Sequence, residues 1–401
     1  MSAPAIDELE PKVSHARGFA HPVTMLALLA ACHFLVDIVA GTTSPIWPTL
    51  ESSLQLDRGG LLWVYVTWVI ATSFSQLLFG LWADRYHSRW LIWTGPLFGI
   101  MCISCVGFAY SSATLAVLFA IGGLGIAAFH PEAAATAGAL LPDQRSRAMA
   151  IFALCGYLGQ AVGPYYSGII TDQLGPPGLA WGMAWGLPIL FILFLGLRRV
   201  PVGASSPKST APGKFNAQEK LPLIGLLLAV GALRILPALG VPLALAYLLK
   251  SADASNAGIG AVQSAFMAGI GFGAMACAAF VKRAWERHVL WICPLCAAPF
   301  LAAIVLASDW TLVGLVGISG LLLGVTMPVY ISYGQQLLPH GQRFASAITM
   351  GASWGIGGAI VASSLWICLR SDSLSMIFGF FSLAALASSA LCYFLPVPGE
   401  T

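Results

Sequence analysis

Apolar runs of about 20 residues or more follow one another 12 times along the chain, broken only by short polar stretches, and few folds can absorb that pattern. A helix rising about 1.5 Å per residue crosses a hydrocarbon layer of about 30 Å in that length. Inside lipid every backbone N–H and C=O must be satisfied by the protein itself, which leaves helices and closed barrels. Barrel strands would read as alternating segments of about 10 residues. These runs are longer, do not alternate and are rich in Gly and Ala, so they read as helices. A soluble domain is excluded, because 58% of the 401 residues are hydrophobic and only 9% are charged. Spans are predicted at 23-47, 60-82, 90-110, 113-140, 146-171, 179-198, 221-249, 257-281, 287-307, 310-337, 342-369 and 373-395. The first run holds Asp37 and has no small-residue cleavage site after a short apolar core, so it is expected to stay as a span rather than serve as a signal peptide.

The fold class expected is an all-α polytopic membrane protein, with 12 transmembrane helices in two pseudo-symmetric six-helix bundles. A tail at 1-22 precedes the first bundle at 23-198; a linker at 199-220, rich in Pro, Ser, Gly and Lys, leads to the second bundle at 221-395 and a tail at 396-401. With both termini placed in the cytoplasm, inside segments carry 15 Lys and Arg, against only Arg58, Lys250 and Arg370 outside. That asymmetry follows the positive-inside rule. It explains the net charge of +3 without nucleic acid as a partner. Nine cysteines lie almost wholly within spans, where they read as small packing residues rather than a disulfide framework; Cys102 with Cys105, and Cys293 with Cys296, have CxxC spacing, but no metal is expected.

The halves resemble each other. A shift of 197 residues superposes Pro45 on Pro242, Pro131 on Pro328, and LLPDQRSRA from Leu140 on LLPHGQRFA from Leu337. The same shift sets Asp37 of the first span against Arg234 of the seventh. Both fall about 20 to 24 Å from the cytoplasmic ends of their helices, near mid-membrane, where they can face each other across the axis relating the halves. With Glu132 they are the unambiguous charges inside the spans. A charge there costs about 2.5 to 3.5 kcal/mol on insertion scales, so it persists where it faces a cavity, a proton path or a partner.

Between the second and third spans stands Gly80-Leu-Trp-Ala-Asp84-Arg85-Tyr-His-Ser-Arg89. This segment resembles the loop signature of the major facilitator superfamily, although His87 and Ser88 depart from it and the second-half copy has Lys282 in place of the acid. The resemblance implies a cytoplasmic gate in which Gly80 allows close helix approach and Asp84, Arg85 and Arg89 form a breakable ion-pair network. The fourth span carries Phe129-His130-Pro131-Glu132, and the first carries His33-Phe-Leu-Val-Asp37 followed by Thr43-Ser-Pro-Ile-Trp-Pro48. Together they look like the fosmidomycin-resistance group of that superfamily. Its drug/proton antiporters often carry an arginine in the fourth span, where this chain has Phe119. The fifth span, Gly159-Gln-Ala-Val-Gly163-Pro164-Tyr-Tyr-Ser167-Gly168, is similar to the pattern the family associates with exporters. Pro131, Gly163 and Pro164 are the hinge candidates.

Two polar tiers are expected: His33 and His130 with Glu132, then Asp37 with Arg234. Glu132, farther from Arg234, is the first candidate for the transported proton, with Asp37, His33 and His130 as further proton-coupling residues. Arg234 offers a planar fork suited to a carboxylate or phosphonate, so substrate binding is assigned to Arg234, Asp37, Tyr330 and Trp354, with Tyr165, Tyr166 and Tyr333 as further candidates for the pathway wall. An Asp37–Arg234 pair that merely locks the halves is the alternative.

The expected function is a proton-coupled antiporter of the bacterial inner membrane that exports a small anionic or amphipathic compound by alternating access, driven by the proton gradient without a cofactor. A proton symporter importing an organic anion and a non-transporting sensor stay open. An enzyme is not expected, since the spans hold no GxSx serine paired with a histidine and no HExxH.

Overall fold

The computed structural model describes residues 21–86, 89–141, 144–198, 218–338, 345 and 347–397. Twelve of its helices are long and apolar enough to cross a membrane: Pro22–Gly41, Gly59–Gly80, Leu91–Phe108, Ser112–Leu140, Arg147–Leu174, Pro176–Leu197, Leu221–Ser251, Asn256–Phe280, Arg283–Leu306, Asp309–Leu337, Ile348–Arg370 and Met376–Tyr393. They are numbered here as the first to twelfth spans. The end of the bundle where the first span begins is called proximal, and the opposite end distal.

Short-range chemistry sets many of the helix starts. Asp57 caps the second span through Gly60 N at 2.7 Å, Ser111 and Thr114 form a capping box ahead of the fourth, and Ser255 accepts from Gly258 N at the eighth. The first span ends at Gly41, short of the predicted 47, and the chain turns through Thr42–Ile46 into a short helix, Trp47–Ser53. Pro45 disfavours helical geometry in the residue before it, and Thr42 Oγ1 turns back to donate to Val39 O at 2.7 Å.

Close helix contacts rest on glycine. A Cβ at Gly159 of the fifth span would lie 2.4 Å from Phe34 O of the first, and one at Gly163 would lie 2.3 Å from Ile38 O. Farther along the same helix, a Cβ at Gly168 would meet Asn256 O of the eighth span at 2.3 Å, and one at Gly260 would meet Pro164 O at 2.3 Å. The fifth span is thus held backbone to backbone against the first span on one face and the eighth on another, using the Gly163, Pro164 and Gly168 positions singled out in the sequence.

Two spans contain a π-helical turn, Ile70–Phe74 in the second and Ala347–Ala352 in the eleventh. Each is followed by a serine whose hydroxyl donates five residues back: Ser75 to Ile70 O at 3.1 Å and Ser353 to Ile348 O at 2.8 Å. The two spans pack on each other here, with Gly355 against the Phe74 ring and Gly358 against Val69. At the distal end Trp47, Leu61 and Tyr65 face Leu243, Tyr247 and Trp366 around a small cavity, so both sets of six spans contribute to its wall.

Candidate functional site

The first span brings His33 and Asp37 onto one face, since residues four apart lie one turn above each other. His33 Nε2 lies 3.3 Å from Asp37 Oδ2, and His130 Nε2, arriving from the fourth span, lies 3.3 Å from Asp37 Oδ1. The His130–Oδ1 contact is within ion-pair distance but lacks hydrogen-bond alignment. Gln160 of the fifth span donates from Nε2 to Oδ2 at 3.2 Å. The carboxylate is 3% exposed, so its partners must come from these side chains. Gly156 makes room for the group: a Cβ there would sit 2.4 Å from His33 Cε1 and 2.7 Å from Asp37 Oδ2.

Hydrogen bonding fixes where the imidazole protons sit. His33 Nδ1 is 2.8 Å from Phe152 O and His130 Nδ1 is 2.7 Å from Ile126 O. A carbonyl oxygen only accepts, so each Nδ1 carries a hydrogen and donates it. Each Nε2 is then a bare lone pair unless the ring is cationic, and both Nε2 atoms face the same carboxylate. With both rings neutral and Asp37 ionised, lone pairs oppose lone pairs; a proton placed between an imidazole and the carboxylate removes that conflict. Stacking on Phe152, with ring centroids 4.0 Å apart, and an edge contact to His130 at 5.0 Å hold the His33 ring in place. As a metal site the trio would offer three ligand atoms within 4.8 Å of one another, one short of a closed tetrahedron.

Arg234 stands apart from this cluster. It is 2% exposed, donates from Nη1 to Thr326 Oγ1 at 3.3 Å and Met327 Sδ at 2.8 Å, and lies 4.5 Å above the Tyr330 ring. Among the described residues no carboxylate lies within ion-pair distance, and Nε has no hydrogen-bond partner. Tyr157, on the fifth span, packs against Gly271 of the eighth, where an added Cβ would lie 3.1 Å from the Tyr157 Cβ. Tyr330 is fully buried and its hydroxyl donates to Leu227 O, so it presents its ring face to the guanidinium. Trp354 is partly buried and packs on the core.

The predicted tiers are rearranged. His33 and His130 close on Asp37, Arg234 does not pair with it, and Glu132 is outside the cluster. The reason is helical: His130 and Glu132 are two residues apart, so they point to different sides of the fourth span. The backbone carbonyl of Glu132 accepts from Thr136 Oγ1 at 2.8 Å. Of the other tyrosines, Tyr165 is 49% exposed, Tyr166 accepts from Trp185 Nε1, and Tyr333 donates to Pro396 O at the proximal end, and neither hydrogen bond reaches the Asp37 cluster.

Arg89 also departs from the expected gate. Its Nη2 donates to Leu197 O at 2.8 Å, at the last turn of the sixth span, and Arg287 repeats the contact with Tyr393 O of the twelfth at 2.8 Å. A cation at a helix C-terminus is favourable. This use keeps Arg89 within the first six spans rather than across the halves. Gly80 approaches Pro131 of the fourth span, while the side chains of Asp84 and Arg85 lie outside the described residues.

The family profile described as Major Facilitator Superfamily matches residues 29–249, more than half of the chain. The chain belongs to the major facilitator superfamily. Members are transporters rather than enzymes, and this one resembles the fosmidomycin-resistance group. It is 25% identical over 385 residues to the fosmidomycin resistance protein of Escherichia coli K12, covering 94% of this chain and 91% of that one. It is 24% identical to the MFS-type transporter YfnC of Bacillus subtilis, covering 85% and 86%. Solved facilitator structures share the fold: the nucleoside transporter NupG, with a TM-score of 0.72 at 12% identity over 92% of this chain and 99% of that one, and the E. coli fucose:proton symporter FucP, with 0.63 at 11% over 94% and 100%.

Proposed function

We propose that this facilitator exports a small anionic or amphipathic compound in exchange for protons, by alternating access across the bacterial inner membrane with both termini in the cytoplasm. The observation that carries the reading is the trio of His33, Asp37 and His130, with two imidazole Nε2 atoms each 3.3 Å from one buried carboxylate. Such a group is complete only when it holds at least one extra proton, which is what a proton carrier needs. The second support is Arg234, a buried permanent cation without a counter-charge among the described residues, for which a substrate carboxylate or phosphonate is the complement. Export is favoured by the resistance proteins among the relatives, and the inward orientation of the termini by the distribution of Lys and Arg. The proton gradient is the energy source, and Glu132 is retained as the second carboxyl on the proton route.

Proteoliposomes with an imposed pH gradient test this. Asp37→Asn is expected to abolish gradient-driven uphill flux while leaving substrate counterflow, because the site still binds and rocks but no longer carries a proton. Glu132→Gln is expected to slow gradient-driven flux without abolishing it. Full gradient-driven flux in Asp37→Asn would remove the trio from the mechanism, and accumulation with the proton flow rather than against it would make the protein a symporter.

A further inference from the structure

The distal ends of the fifth and eighth spans are joined by a contact that the proton and substrate sites do not use. Asp172, in the last turn of the fifth span, accepts from Asn256 N at 3.0 Å and Asn256 Nδ2 at 2.8 Å on Oδ1, and from Ala257 N at 2.8 Å on Oδ2. Asn256 and Ala257 are the first two residues of the eighth span, whose opening N–H groups have no partner within their own helix. Ser255 supplies the local cap at Gly258 N, and the acid that completes the set comes from the other six-span unit. Asn256 is 7% exposed and is held from a second side, where Thr49 Oγ1 donates to its Oδ1 at 2.8 Å. Its amide therefore bridges the fifth span and the short helix after the first.

This contact is long-range in sequence, three-pronged and charge-assisted, and it sits on the positive end of a helix dipole. The backbones behind it are in direct contact at Gly168 and Gly260, so the carboxylate reaches its donors only when the two spans are fully closed on each other. Opening the distal end must pull Asp172 from Asn256 and return both to water.

We propose that Asp172 is the catch of the distal gate: its carboxylate, seated on the first turn of the eighth span, sets how much of the protein rests with the distal end closed. The residue is solvent-exposed in the closed form, so water competes with the contact and the catch biases a population rather than locking it. Alternating access as proposed above is the frame for this, but the catch needs neither protons nor substrate.

Hydrogen–deuterium exchange on the full chain in lipid nanodiscs, without substrate and at fixed pH, tests the catch separately from coupling. Asp172→Asn is expected to raise exchange about three- to thirtyfold in two regions together, the first turn of the eighth span and the helix ends around Trp47, Tyr247 and Trp366 that line the distal cavity. Thr49→Val, a milder change, is expected to move both regions in the same direction by less. Asn256→Asp places two carboxylates together and should open the end further, whereas the exchanged pair Asp172→Asn with Asn256→Asp restores a donor facing an acid and should recover part of the protection. Faster exchange confined to residues 256–258, with the cavity region unchanged, would make Asp172 a helix cap and overturn the proposal, as would unchanged exchange in all variants. Because the readout is conformational, the catch can fail while the proton reading stands, and the reverse.

Discussion

A buried guanidinium with no carboxylate beside it among the described residues is unusual enough to require a reason at the level of the single residue. Taking an ion out of water costs several kcal/mol, and Arg234 recovers part of that from Thr326, Met327 and the Tyr330 ring. On the reading proposed above, the remainder is stability given up for an anionic substrate. Arg234→Met should therefore raise the thermal stability of the substrate-free protein, by about 1 to 4 kcal/mol, while abolishing transport. Arg234→Lys keeps the charge but loses the planar fork and should weaken anion binding about ten- to hundredfold, measured by substrate-induced shifts in melting temperature. A loss of stability in Arg234→Met would mean that the charge is structural. Much of this site was legible from sequence: a charge in an apolar span has few uses, and a histidine four residues from an aspartate shares its face. Gln160 was not picked out, because contact between the first and fifth spans is a tertiary fact; the available signal was an amide between Gly159 and Gly163, where an apolar side chain would serve packing better. The separation of Glu132 from His130 was open to prediction from helical period alone.

At the scale of the element, the fifth span is the member on which the functions converge. Within one helix it carries Gly156 and Gln160 against the Asp37 cluster, and Tyr157, Gly168 and Asp172 against the eighth span. Its glycines divide by what they face. Gly159 packs on Phe34 O within the first six spans, so Gly159→Ala strains a contact that rocking leaves intact and should destabilise the protein by about 1 to 3 kcal/mol in every state. Gly168 packs on Asn256 O across to the eighth span, so Gly168→Ala should penalise only distal-closed forms. Melting temperatures with and without saturating substrate separate the two: the Gly159 variant shifts both equally, the Gly168 variant unequally. The positions of all twelve spans were visible in hydropathy because lipid sets a minimum apolar length for each. The early end of the first span and the two π turns were not, since a Thr-Thr-Ser-Pro turn and a serine that reaches a carbonyl five residues back are local choices inside an otherwise uniform apolar run.

For the whole molecule, the arrangement is two sets of six spans whose internal ties repeat and whose mutual contacts are replaceable. Arg89, just before the third span, on Leu197 O and Arg287, at the start of the ninth, on Tyr393 O fasten the last span of each set in the same way, the two arginines lying 198 residues apart. Contacts between the sets lie instead along the second and eleventh spans, the fifth and eighth spans, and the distal cavity. A carrier that rocks needs this difference, because ties within a set must survive the cycle and contacts between sets must break once per turnover. The segment at 199-220, rich in Pro, Ser, Gly and Lys, then has only to keep the two sets together. Producing residues 1–198 and 221–401 as two chains in one cell should accordingly restore gradient-driven flux to a substantial fraction of the intact level. The Arg89→Ala and Arg287→Ala changes should lower yield of the piece that carries them and leave the other piece unaffected. Failure of the paired pieces to transport, with both inserted and folded, would show that the linker holds part of the mechanism.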